Sequence, residues 1–154
     1  MRIIPCEPIH EADARAVIRA VHDEYGFTWD PHNYHRDLYD IQNVYIQPGG
    51  RFWVQLDGDH VVGCVGLTAH GDHCELHRMY LLSACRGRGW GRSLLEAALN
   101  HAKAEKFARM IAWSDVKLAD AHRLYRAMGF TQQGERLCDD PDNSREYGFF
   151  IDLA

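Results

Sequence analysis

Arg86-Gly87-Arg88-Gly89-Trp90-Gly91 follows the apolar segment Met79–Leu82 and leads into a long amphipathic run. That order predicts a strand, a glycine loop and a helix start. Alternating glycines let the backbone turn without Cβ clashes and come close to a ligand. The first helix amides, which have no intrahelical acceptor, then point into the loop. The helix dipole and the charges of Arg86, Arg88 and Arg92 make the loop electropositive, so a pyrophosphate is its natural guest.

Two well-known phosphate loops do not fit. A P-loop needs Gly-Lys-Ser/Thr, whereas Gly91-Arg92-Ser93 lacks the lysine and Arg86 stands where the earlier glycine belongs. The dinucleotide fingerprint G-x-G-x-x-G, started at Gly87, requires glycine where Arg92 stands. The residues do match R/Q-x-x-G-x-G/A, with Arg86, Gly89 and Gly91 in the marked places. This resembles the coenzyme A loop of the GNAT superfamily of N-acetyltransferases.

The chain has 154 residues, 46% of them apolar, and no Pro/Gly/Ser-rich linker, which predicts a single domain over 1–154 with a sizeable core. Met1-Arg2-Ile3-Ile4-Pro5 lacks a signal peptide's apolar stretch, and no segment approaches the roughly 20 apolar residues of a membrane span. A cytoplasmic protein is expected. Five cysteines without a C-x-x-C pair suit free thiols in a reducing compartment. A net charge of −5 argues against general binding to nucleic acid or anionic membranes. Among the ten histidines, His70-Gly71-Asp72-His73-Cys74 comes nearest to a cluster. Gly-Asp between two alternating runs reads better as a hairpin turn than as a zinc site, and no metal is expected.

Arg2-Ile3-Ile4 predicts a short strand. Ala14, Val17, Ile18, Val21 and Tyr25 then recur at helical spacing, with Gly26 beyond. A less regular helix is expected from Pro31 to about Asp40, among the aromatics Phe27, Trp29, Tyr34, Tyr39 and Tyr45 and the acids Asp30, Asp37 and Asp40. These aromatics either line a pocket for a cationic group or cap the core. From Arg51 the period becomes two, giving a hairpin turned at Asp57-Gly58-Asp59 and a third strand from Cys74 to Leu82. Leu94, Leu95, Ala98, Leu99 and Ala102 mark a crossover helix, and Met110–Trp113 a parallel strand beyond it. A further helix carries Leu118, Ala121, Leu124, Tyr125 and Met128 and ends at Gly129. Phe130–Leu137 and Tyr147–Leu153 are two last strands. The result is an α/β chain with a mixed sheet of about seven strands and about four helices, in the order β-α-α-β-β-β-α-β-α-β-β.

That order is similar to the GNAT fold, and a second motif extends the resemblance. Ala121-His122-Arg123-Leu124-Tyr125-Arg126-Ala127-Met128-Gly129-Phe130 looks like the family's A-x-x-x-Y-x-x-x-G-F signature. The match covers about Arg51 to Phe130. Ser83 replaces a frequent proline, and Leu118 stands where many members carry an asparagine that touches the pantetheine arm.

The resemblance implies acetyl-CoA as acyl donor. Met79, Tyr80 and Leu81 would hold its pantetheine along a strand splayed from its neighbour, and Arg86, Gly87, Arg88, Gly89, Trp90, Gly91 and Arg92 its pyrophosphate. Glu75, on the strand before the loop, is the candidate base; otherwise it is a strand acid paired with Arg78 or a neighbouring charge. Tyr125 is the candidate donor to the departing thiolate; otherwise it is a core tyrosine. Cys85 has no histidine partner at a spacing that would suggest a covalent route. The expected activity is acetyl transfer to an amine of a small molecule or protein by direct attack in a ternary complex, and a homodimer is compatible with it. The alternative is a coenzyme A sensor or partner-binding module without turnover.

Overall fold

The computed structural model describes residues 1–153; Ala154, the last residue of the expected domain, lies outside the described residues. Seven strands form one sheet: β1 (Arg2–Pro5), β2 (Arg51–Asp57), β3 (His60–His70), β4 (His73–Leu81), β5 (Arg109–Asp115), β6 (Thr131–Leu137) and β7 (Arg145–Asp152). Their order is β1-β2-β3-β4-β5-β7-β6. Neighbours are antiparallel except β4 and β5, whose parallel pairing follows from the crossover helix between them. This is the mixed sheet that the periodicities predict.

The three α-helices are α1 (Glu11–Tyr25), α2 (Trp90–Ala104) and α3 (Ala119–Ala127). The α1 face covers one core of Ala14, Ile18, Phe52, Val54, Leu56 and Cys64. Behind the sheet, α2 and α3 cover a second core with Val65, Leu67, Leu76, Leu94, Leu95, Met110 and Phe149. The five apolar residues that mark α2 in the sequence are all buried. Gly129, at φ 97°, ends the α3 segment, and Phe130 N–H bonds back to Tyr125 O at 2.9 Å.

The fourth helical segment differs from its expected form. Instead of a helix from Pro31 to Asp40 there is a 3-10 turn at Arg36–Tyr39 and a π turn at Gln42–Ile46. Side chains compete with the helix ladder here. The Asp30 carboxylate accepts Tyr34 N–H at 3.2 Å, and Asp30 N–H donates to His35 Nδ1 at 2.9 Å. The loosened backbone still buries Leu38, Ile41 and Tyr45 in the α1-side core.

One irregularity shapes the middle of the sheet. Between the pairs Cys64↔Tyr80 and Gly66↔His77, β4 carries an extra residue, and Arg78 there takes φ 51°. This is a β-bulge, which bends a strand and re-aims its side chains. The Arg78 guanidinium is held by both carboxylate oxygens of Asp37, at 2.9 and 3.2 Å, and by Tyr34 O at 2.7 Å.

Candidate active site

The β4–β5 pairing runs from His73↔Arg109 to Leu76↔Ala112 and stops. Beyond it β4 continues to Leu81 against β3, and β5 continues to Asp115 against β7. The two central strands therefore part, and the β5-facing backbone edge of β4 opens from His77 onward.

Two cavities meet in this gap. One, of about 430 Å³, is bordered by Leu81, Arg86, Gly87, Gly89, Gly91 and Arg92. The other, of about 370 Å³, is bordered by Glu75, His77, Tyr125 and residues of the segment before β2. Met79, Tyr80, Leu118 and Ala121 border both. Of the site residues singled out in the sequence, all but Arg88 and Trp90 border one of the two cavities, which share a wall and form one groove with the glycine loop at one end and Glu75 and Tyr125 at the other.

The loop takes the expected open form only in part by the expected means. Gly87 and Gly89 take φ 79° and 80°, which an L side chain adopts only with strain. Gly91 does not; it lies in the first turn of α2, where an added Cβ would contact Leu124 Cδ2 at 3.7 Å and Leu81 Cδ2 at 4.0 Å. No side chain caps α2, and its first backbone bond is Ser93 N–H to Gly89 O at 3.1 Å, which leaves the earlier amides to a ligand. Arg86 is engaged within the chain: its guanidinium grips Glu24 at 2.6 and 2.9 Å and also bonds Leu81 O. Arg92 pairs with Glu96 on the next turn. Arg88, packed over the Trp90 ring, is the loop arginine without a carboxylate partner among the described residues.

Glu75 is mostly buried and pairs not with Arg78 but with two histidines, His77 on its own strand and His70 on the neighbouring β3. Its Oε2 lies 3.2 Å from His77 Nε2 and 3.9 Å from His70 Nε2. Burial raises its carboxyl pKa, but the His77 hydrogen bond and the charges of His77, Arg136 and His70 outweigh this and hold it below the usual carboxylate range. Tyr125 is 4% exposed, with its ring tilted on Phe130 and Phe149. Burial, with a smaller contribution from Tyr80, pushes its hydroxyl pKa well up, so it stays protonated. Among the described residues no group of the chain hydrogen-bonds this hydroxyl, and it is not sealed from the cavity, since the fully enclosed orphan is Gln55 Oε1. A protonated, unpartnered hydroxyl therefore faces the groove.

Of the N-terminal aromatics, Phe27, Tyr34 and Tyr45 border the Glu75 cavity together with Asp37. Trp29 instead stacks on His35 at 4.1 Å, and Tyr39 is half-exposed under Arg15. Sequence reading missed His22, His35, the Arg78–Asp37 pair and the buried His122, whose Nε2 meets Ser114 Oγ at 3.0 Å. The side chains that pair with them, Ser114 for His122, His22 and His35 for each other, and Asp37 for Arg78, lie 8, 13 and 41 positions away, and no local periodicity signals them.

A parted central strand pair, an open glycine loop at a helix start and a groove joining it to a carboxylate and a hydroxyl make up a site of the acyltransferase type. Residues 14–130 match the model of the acetyltransferase (GNAT) family. The chain belongs to that family and is an acetyltransferase. It is 37% identical over 120 residues to the uncharacterized N-acetyltransferase YjgM of Escherichia coli (strain K12), covering 74% of this chain and 72% of that protein. It spans about half the length of the rat and mouse N-acetyltransferases that it also matches. In fold it resembles a GNAT-family acetyltransferase from Staphylococcus aureus Mu50, with a TM-score of 0.88 and 20% identity over 99% of each chain. A phosphinothricin acetyltransferase from Sinorhizobium meliloti in complex with AcCoA superposes with a TM-score of 0.76 at 20% identity, over 99% of this chain and 88% of that one. No described helix is long and apolar enough to cross a membrane.

Proposed function

We propose that this acetyltransferase, acting as one domain over 1–154, moves an acetyl group from acetyl-CoA to an amine of a small molecule or protein within a ternary complex. The observation that carries this reading is the continuous groove through the β4–β5 gap. Its loop end suits a pyrophosphate, with the open α2 amides, Gly87, Gly89 and Arg88 as donors, and with Gly91 leaving the wall low. Arg86 serves as a clamp that ties the loop to Glu24 of α1. Trp90 and Arg92 are in this reading frame residues of the site, one packing on Arg88 and the other paired to Glu96. The backbone of Met79, Tyr80 and Leu81 can pair with an amide-bearing arm as an added strand would.

Acetyl-CoA supplies an activated acyl group as a thioester. For transfer, the amine must be neutral, aligned and relieved of a proton. Glu75, anionic and facing the acceptor side of the groove, accepts that proton. Tyr125, kept protonated by burial, donates to the departing sulfur. A β4 backbone N–H polarises the acyl carbonyl as negative charge develops. Cytoplasmic acetyl-CoA is the matching donor pool.

An amine library assayed with acetyl-CoA, with release of free thiol as the readout, tests the reading. The expected result is amine-dependent thiol release that obeys sequential rather than ping-pong kinetics. Coenzyme A binding without transfer to any amine would favour the sensor alternative.

A further inference from the structure

The edge of the acceptor cavity carries a second arrangement, which shares Glu75 with the proposed proton transfer and adds side chains that the transfer does not use. Thr68 and His70 alternate on β3, Glu75 and His77 alternate on β4, and Thr68 lies directly opposite Glu75 in the register. Period-two alternation therefore puts all four side chains on one face of the sheet. Their polar atoms converge. One ligand atom each from His70, Glu75 and His77 lies within 4.8 Å of the others. The separations from Glu75 Oε2 are 3.2 Å to His77 Nε2 and 3.9 Å to His70 Nε2. A tetrahedral ion with bonds of about 2.0–2.1 Å sets its ligand atoms about 3.3 Å apart, so small side-chain rotations close the site.

The supporting contacts keep these atoms aimed at one place. Thr68 Oγ1 is 2.8 Å from His70 Nε2 and 2.9 Å from His77 Nε2, so a single hydroxyl gathers both imidazole edges at one place, and an ion bound at these nitrogens takes over their hydrogen bonds to Thr68. His73 stacks on His70 with ring centroids 5.5 Å apart and fixes its plane. Among the described residues no lysine or arginine forms a salt bridge with Glu75. Half-exposed His70 gives an ion a way in from solvent, and the opposite side faces the cavity.

We infer that His70, Glu75 and His77 form a binding site for one divalent transition-metal ion of the Zn²⁺ class. Two imidazoles and a carboxylate are the donors that such an ion prefers over Mg²⁺ or Ca²⁺, which favour oxygen alone. The fourth position opens toward the cavity. A bound ion takes up the Glu75 lone pairs, so occupancy switches the transferase off; that consequence, unlike the site, rests on Glu75 being the base.

The test is calorimetric titration of untagged full-length protein with Zn²⁺ alone, with Co²⁺ absorption as a second reporter of four-coordinate N/O ligation. One equivalent should bind. Loss of even a supporting residue of a metal site costs about 10–100-fold in affinity, so His70→Ala and His77→Ala should each cost at least that while keeping the wild-type melting temperature. The proposal is overturned if wild-type protein binds no Zn²⁺, or binds it no tighter than the His70→Ala/His77→Ala double variant. Acetyl transfer should fall in proportion to Zn²⁺ occupancy and return with chelator. If Zn²⁺ binds with the predicted variant pattern but transfer continues, the metal site stands and Glu75 is not the base. If Zn²⁺ does not bind and Glu75→Gln abolishes transfer, the metal site fails and the base assignment stands.

Discussion

His22 Nε2 and His35 Nε2 meet at 2.8 Å inside the packed space between α1 and the segment that follows it, with 3% and 0% of each residue exposed. Their neighbours fix the protons. Ile18 O can only accept, so His22 Nδ1 carries a hydrogen; Asp30 N–H can only donate, so His35 Nδ1 is bare. His35 Nε2–H then donates to the bare His22 Nε2. Every nitrogen is satisfied only when both rings are neutral.

A pH dependence of stability follows. Burial first, then the Arg78 charge, lowers both histidine pKa values to about 4, and Asp30, Asp37, Asp23 and Asp142 offset this only in part. In the unfolded chain both titrate near 6.5. Between these values the unfolded state binds more protons, so stability is full above about pH 6.5 and declines as pH falls toward 4. The loss should be on the order of a few kcal/mol. Melting temperature measured against pH should drop over this window in wild type and drop less in His35→Asn. Equal slopes in the two proteins would refute the neutral pair.

The Gly91 position separates fold from ligand binding. It needs no positive φ, and an added Cβ meets only ordinary contacts with Leu124 and Leu81. Gly91→Val should therefore fold, because valine is a better helix former than glycine at a position without positive φ, while its methyls fill the groove mouth. Coenzyme A at 100 times its dissociation constant stabilises a binding protein by about 2.7 kcal/mol. That thermal shift should be present in wild type and absent in Gly91→Val. An undiminished shift would remove the loop from the binding site.

Much of this site is legible in the sequence because its parts are local. Gly87 and Gly89 declare left-handed backbone, the α2 apolar stripe declares its buried face, and Gly58 and Gly71 mark the hairpins that set the register of β2, β3 and β4. What is not legible depends on groups far apart in the chain. Arg86 reads as a phosphate ligand until Glu24, 62 positions away, is seen to hold it. Arg78 reads as a possible partner for Glu75, but the bulge turns it to Asp37, 41 positions away. The segment after Pro31 lacks a helical period because its side chains bind its own backbone, and composition does not reveal that geometry.

Glu75→Gln keeps the side-chain shape and an oxygen to accept from His77, but removes the anion. If Glu75 takes the amine proton, kcat/KM should fall by about 10²–10⁴, with coenzyme A affinity and melting temperature close to wild type. Steady-state rates with a saturating donor and a varied amine measure this. Unchanged kcat/KM would leave Glu75 as a strand acid that serves the histidines.

Tyr125→Phe addresses the other end of the proton balance. Phenylalanine keeps the ring against Phe130 and Phe149. The hydroxyl has no partner in the chain among the described residues, so its removal leaves no buried group unsatisfied. Melting temperature and coenzyme A affinity should therefore stay nearly constant. If the hydroxyl donates to the departing sulfur, the interaction belongs mainly to the transition state and kcat should fall. A thiol of ordinary pKa leaves tolerably as a thiolate at neutral pH, so the expected loss is about 10- to 10³-fold, toward the low end for general acid catalysis. Single-turnover measurement of acetyl transfer separates this step from product release. A variant that loses about 1 kcal/mol of stability while its chemical step is unchanged would show that the hydroxyl holds the fold through a hydrogen bond, and the sulfur would then need no donor from α3.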